Sequence, residues 1–230
     1  MAASLVNNLQ HKAFRVIHND MADAPYMGFH QRNAKSTIAT SAGLGNTVVS
    51  FNRISLANTA ARYGVGDGGY IYTYGIWPDS LIQGNDIQGI NGANANVSGF
   101  YLDNQSYGIR VVSNLMRDVK PGMMGYKFVR SLNDDLTANS ASGNWGDSSV
   151  NWFQVVSDAK FHQLTFGARL PAEAESIANA AGLEPDHRHL LNQIYSPTNL
   201  ARGKLAKASS QWKRNTVSYT HLTLPTKRIV

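Results

Sequence analysis

Short runs of β-branched and aromatic residues recur through the first 150 residues, punctuated by glycine and asparagine. Thr47–Ile54 is the clearest predicted strand, with turn signals at Gly43 and Gly45-Asn46 before it. Tyr70–Trp77 predicts a second, ended by Trp77-Pro78-Asp79. Phe100–Asp103 and Tyr107–Ser113 read as a strand pair, and Gly122–Arg130 as a further strand. Residues 3–18 read as a short helix turning into a strand. The polar stretches 20–35, 83–99 and 133–149 predict loops. This gives six to eight strands and little helix. Gln83-Gly-Asn-Asp-Ile-Gln-Gly89 hints at a short repeat, but one partial copy does not establish a solenoid.

The period then changes. Trp152, Val155, Val156 and Ala159 fall at i, i+3, i+4 and i+7, which predicts an amphipathic helix over 151–164. A second helix is predicted over 171–181. Pro171 suits its first position, Glu173 and Glu175 complement its dipole, and Gly182 is its natural stop. Its apolar face is Ala174, Ile177, Ala178 and Ala181.

Composition narrows the function classes. The 230 residues are 43% hydrophobic and only 16% charged, with no cysteine. Thiol catalysis, disulfides and zinc–thiolate sites are therefore excluded for this chain. The net charge of +6 suggests nucleic acid, but seven of the 21 basic residues and none of the 15 acids lie in residues 201–230. The remainder is close to neutral, so no nucleic-acid partner is expected. No signal peptide and no membrane span are read from the sequence. Val217–Thr226 resembles a translated sequencing-library adapter, so residues 217–230 are read as an artefact within a basic tail, 201–230.

Gly167-Ala-Arg-Leu-Pro-Ala-Glu-Ala-Glu175, with Trp152 before it and Ala180-Ala-Gly182 after it, resembles a stretch of the formylglycine-generating, sulfatase-modifying-factor superfamily. That superfamily includes phage receptor-binding tail proteins diversified by retroelements. The match spans about residues 145–183. It implies an α+β fold: a β-rich N-terminal region (1–120) and a truncated C-type-lectin-like module with two helices (121–200). It also implies structural roles for Trp152, Arg169, Leu170, Pro171, Glu173 and Glu175, with Arg169 paired to a carboxylate or carbonyl and Leu170 in the core. A homotrimer, a host surface receptor and a place on the virion follow from the resemblance alone. Recognition by a phage-type tail protein is the leading expectation. A truncated enzyme of the superfamily and a structural virion protein are the alternatives.

Other candidate chemistry is sparse. Gly64–Gly69 fits G-x-G-x-x-G but leads into a strand, not a helix, so it reads as a turn. Asp186-His187-Arg188-His189 and Asp134-Asp135 are the densest titratable clusters. His187 and His189, at i and i+2, suit a metal only on a strand, and Gly182 and Pro185 before them place them on a loop or an exposed helix start; the two aspartates read as a solvated loop, with calcium the weak exception. Tyr70, Tyr72 and Tyr74 share one face by period two and are expected to serve packing. No catalytic residue and no cofactor are expected.

Overall fold

The computed structural model describes residues 4–9, 11–22, 27–32, 44–55, 68–89, 97–103, 106–118, 124–128, 139–147, 161–165 and 167–194. Its first compact unit runs from Met1 to Arg188, and a second holds His189–Val230. In the second, one short helix is described, α2 (His189–Ile194).

The first unit is a parallel β-solenoid of five coils. Coil 1 holds β1 (Ser4–Leu9), β2 (Arg15–Ile17) and β3 (Asp20–Ala22). Coil 2 holds β4 (Met27–Arg32), β5 (Val48–Ser50) and β6 (Arg53–Ser55). Coil 3 holds β7 (Gly68–Tyr74), β8 (Ile76–Gln83) and β9 (Asp86–Gln88). Coil 4 holds β10 (Val97–Leu102), β11 (Tyr107–Val112) and β12 (Leu115–Arg117). Coil 5 holds β13 (Met124–Phe128), β14 (Ser140–Ser142) and β15 (Asn144–Asp147). Corresponding strands stack into three sheets: β1-β4-β7-β10-β13 (sheet A), β2-β5-β8-β11-β14 (sheet B) and β3-β6-β9-β12-β15 (sheet C). A last strand, β16 (Phe161–Leu164), extends sheet C beside β15.

The first four coils place the same kind of side chain at the same inward position. Sheet A stacks Val6, Phe29, Ile71 and Phe100 in register. Sheet B stacks Val16, Val49, Ile82, Val111 and Ala141. Sheet C stacks Met21, Ile54, Ile87 and Met116. These columns form one continuous core, the arrangement expected where each repeat buries its apolar face only against its neighbours.

The corner between sheets B and C is fixed by asparagines. Asn19, Asn52, Asn85, Asn114 and Asn144 stack at separations of 33, 33, 29 and 30 residues. Asn85 Nδ2 donates to Asn114 Oδ1 and to Val49 O, both at 2.9 Å, while its Oδ1 accepts from the N–H and Nδ2 of Asn52. The ladder thus satisfies corner backbone groups that the sheets cannot reach. The residue before each asparagine must turn left-handed: His18, Phe51 and Ser113 have φ of 56°, 55° and 51°, and Gly84 and Gly143 have 65° and 62°. At Gly84 a Cβ would also lie 2.6 Å from the Phe51 ring, so the stack requires glycine there.

This architecture overturns the predicted α+β, C-type-lectin-like fold. The three sheets are parallel throughout and continue past residue 120. Of the predicted helix 151–164, residues 151–160, Trp152 among them, lie outside the described residues, and 161–164 form β16. The predicted loops 20–35, 83–99 and 133–149 contain β3 and β4, β9 and the start of β10, and β14 and β15. Residues 4–9 are strand, not helix, and β8 runs through Trp77-Pro78-Asp79. Thr47–Ile54 is two strands broken at the Phe51-Asn52 corner, and β10 and β11 belong to different sheets. Three-residue strands such as β3, β9 and β14 are too short to show alternation, and their Gly/Asn corners mimic loops.

The second predicted helix is present as α1 (Ala172–Ala180). Ala174, Ala178 and Ala181 are buried and Ile177 is half-buried, as the apolar face predicts. The resemblance to the lectin-like family rests on this segment. Its residues encode a helix start and a small-residue face, which fit a solenoid sheet equally well.

Candidate functional site

The outward face of sheet C carries a charge ladder. Register places Asp20, Arg53 and Asp86 one above another on β3, β6 and β9. Arg53 lies 3.8 Å from Asp20 and 3.6 Å from Asp86. Arg117, on β12 opposite Gln88, reaches back diagonally and grips Asp86 with two bonds, Nε–Oδ1 at 3.0 Å and Nη2–Oδ2 at 2.8 Å. Gln88 Nε2 donates a further 2.7 Å bond to Asp86. The Asp86 carboxylate is fully buried, so these donors stand in for lost water. The hydrogen bond to Asp86, and its charge, raise the pKa of the Arg117 guanidinium further above its ordinary range against the opposing effect of burial.

Helix α1 ends on the other part of this ladder. Arg53 Nη2 donates to the carbonyls of Ala178 and Ala181 at 2.9 and 3.1 Å, a cation against a helix C-terminus. Leu183 N–H donates to Asp20 Oδ2, Gly182 N–H donates to Phe51 O, and His18 Nδ1 lies 3.1 Å from Gly182 O. On the next coil the charge gives way to Leu115, which packs with Leu164, Ala174 and Ala178.

Beside this apolar patch opens a cleft of about 200 Å³. Arg117, Asp118, Asp147, Leu164, Gly167 and Leu170 are among its lining residues. Arg117 is pinned by Asp86 yet keeps 30% of its side chain exposed. Asp118 holds a left-handed φ of 58°, and Asp147 is buried at the end of β15. A fixed guanidinium with two carboxylates presents donors and acceptors together, which suits a small hydroxylated ligand. Nearby, Trp145 stacks on His162 with ring centroids 4.4 Å apart.

The residues singled out from the sequence mostly fall elsewhere. Leu170 packs against the Leu115 cluster and lines the cleft. Pro171 precedes α1 as its N-cap, and Glu173 and Glu175 stand exposed in the first turns. Arg169 is exposed and makes no ion pair or hydrogen bond among the described residues. Asp134 and Asp135 lie outside the described residues. His187 approaches only Glu184, at 3.7 Å, and no group of three metal-ligating side chains occurs among the described residues. Tyr70 is in the core, Tyr72 donates to Asp103 at 2.6 Å, and Tyr74 lies under Arg32. Asp86, Arg117, Asp118 and Asp147 were missed because they are brought together only by coil stacking.

No family model matches the chain, and no curated protein matches it. Among solved structures it is similar to a glycoside hydrolase, at 18% identity and a TM-score of 0.49, over 82% of this chain. The chain spans about a quarter (25%) of that protein's length. No described helix is long and apolar enough to cross a membrane.

Proposed function

We propose that this chain is a recognition protein of the tail or receptor-binding kind, in which a rigid solenoid presents the cleft beside Arg117 to a host-surface saccharide and binds it without transforming it. The carrying observation is the Asp86–Arg117 pair. A buried carboxylate fixes a part-exposed guanidinium at the rim of a cleft that also offers Asp118 and Asp147. Saccharide hydroxyls bond to carboxylates, and a pre-oriented guanidinium loses little freedom on binding. The cleft's small volume suits one sugar unit rather than a chain.

A second reading has one specific observation in its favour. Two carboxylates share the cleft, as glycoside hydrolysis requires. Calorimetric titration with a panel of neutral and acidic oligosaccharides tests both. Saturable binding, weakened about tenfold or more by Arg117→Gln with the circular dichroism spectrum unchanged, is the expected result. Release of new reducing ends that Asp147→Asn abolishes would replace binding by hydrolysis. Absence of binding across the panel would remove the saccharide reading.

A further inference from the structure

The first coil is built unlike the others. Four large hydrophobics are exposed among the described residues, and three of them, Leu5 (47%), Leu9 (58%) and Ile17 (37%), lie on coil 1. Its inward Val6 and Phe14 are only partly buried, whereas Phe29, Ile71 and Phe100 are fully enclosed. Strands β1, β2 and β3 each stand at the edge of their sheet. Such an edge is ordinarily guarded by charge, proline or a bulge. Ser4-Leu-Val-Asn-Asn-Leu9 has no charged residue and no proline, and it pairs with β4 in unbroken register.

We propose that coil 1 is a homodimer interface, in which β1 pairs antiparallel with β1 of a second copy about a twofold axis through Asn7. The sequence of β1 is self-complementary in that register. Residues directly opposite in an antiparallel pair share a face. Centring on Asn7 sets Leu5 against Leu9 of the second copy, and Leu9 against its Leu5, on the outward face. Val6 and Asn8 meet on the inward face. Both exposed leucines are thereby covered, and the partly open core end is closed by the same core end of the other copy. In a three-sided coil that axis also lays β2 over β3 of the second copy, which covers Ile17. Coil 1 spans residues 4–22. That approaches the roughly 20–30 residues a side of a standard stable interface. An interface whose two sides are one surface closes on itself as a dimer.

The test uses the full chain and light scattering after size exclusion at micromolar concentration. Twice the 25.1 kDa chain mass is expected. Leu5→Lys with Leu9→Lys sets like charges opposite each other and gives the monomer mass. Leu5→Lys with Leu9→Glu sets opposite charges together and keeps the dimer, and circular dichroism confirms that both variants fold. Independently, Asn7→Cys is expected to give an interchain disulfide on oxidation, because residue 7 faces its own copy, while Leu5→Cys does not. A monomeric or trimeric parent, or a dimer surviving in Lys/Lys but lost in Lys/Glu, would overturn the proposal. None of these readouts depends on the cleft.

Discussion

Asn85 and Asp86 are neighbours in sequence and belong to two ladders of different kinds. Asn85 sits at the inner corner, where every coil offers the same backbone groups and receives the same residue. Asp86 sits on the outward face, where the column changes from Asp to Arg to Asp to Leu along sheet C. A stack that satisfies backbone must repeat its side chain, because the backbone repeats. A stack that faces α1 and solvent is free to vary, and on this molecule it is the varying one that holds the helix and borders the cleft.

The contrast predicts unequal costs for the two adjacent residues. Asn85→Ala takes the side-chain partner from Val49 O and from the Asn52 N–H inside the corner, removes one of the bonds made by Asn52 Nδ2 and by Asn114 Oδ1, and is expected to cost on the order of 3–5 kcal/mol in urea unfolding. Asp86→Ala strands the Arg117 guanidinium, while Arg53 keeps Asp20 and the α1 carbonyls, and at 27% and 30% exposed Arg53 and Arg117 both regain water. Its expected cost is about 2 kcal/mol, below the roughly 3–5 kcal/mol of a fully buried pair. It should also weaken saccharide titration, because Arg117 loses its anchor, whereas Asn85→Ala should not do so while folded. A larger loss of stability from Asp86→Ala than from Asn85→Ala would break the distinction between the ladders.

The two regions were also unequally legible in the sequence. The solenoid signal is an apolar residue, two variable residues, an asparagine, one variable residue and a second apolar residue: Val16…Asn19…Met21, Val49…Asn52…Ile54, Ile82…Asn85…Ile87 and Val111…Asn114…Met116. The fifth copy, Ala141…Asn144, has Gly146 in the last place. Gln83–Gly89 overlaps the third copy, but spacings that drift from 33 to 29 residues hide the period from any fixed-length search. Helix α1 was legible because its signals are local: Pro171, two acids, a small-residue face and Gly182. The cleft was not, because Asp86, Arg117 and Asp147 lie about one coil apart and become neighbours only through register.

The smallest effect concerns sheet A, where the outward column Asn7, His30, Tyr72 and Tyr101 resembles neither ladder. His30 lies 2.9 Å from Asn7 Oδ1 through Nδ1 and meets the edge of Tyr72 at 5.2 Å between centroids. Burial first, and Arg32 on the same strand second, push its pKa below the ordinary 6.5. The folded state therefore holds the neutral imidazole more firmly than the unfolded state does. The resulting stability is complete above about pH 6.5 and is lost as pH falls from there toward the lower folded value. Melting temperatures measured at pH 7.5 and 5.5 should fall with acid, and His30→Gln should shrink that fall by removing the titrating group. Equal slopes in parent and variant would mean that this column tolerates charge as the outer sheet C ladder does, and that only the asparagine corner is strict about what it accepts.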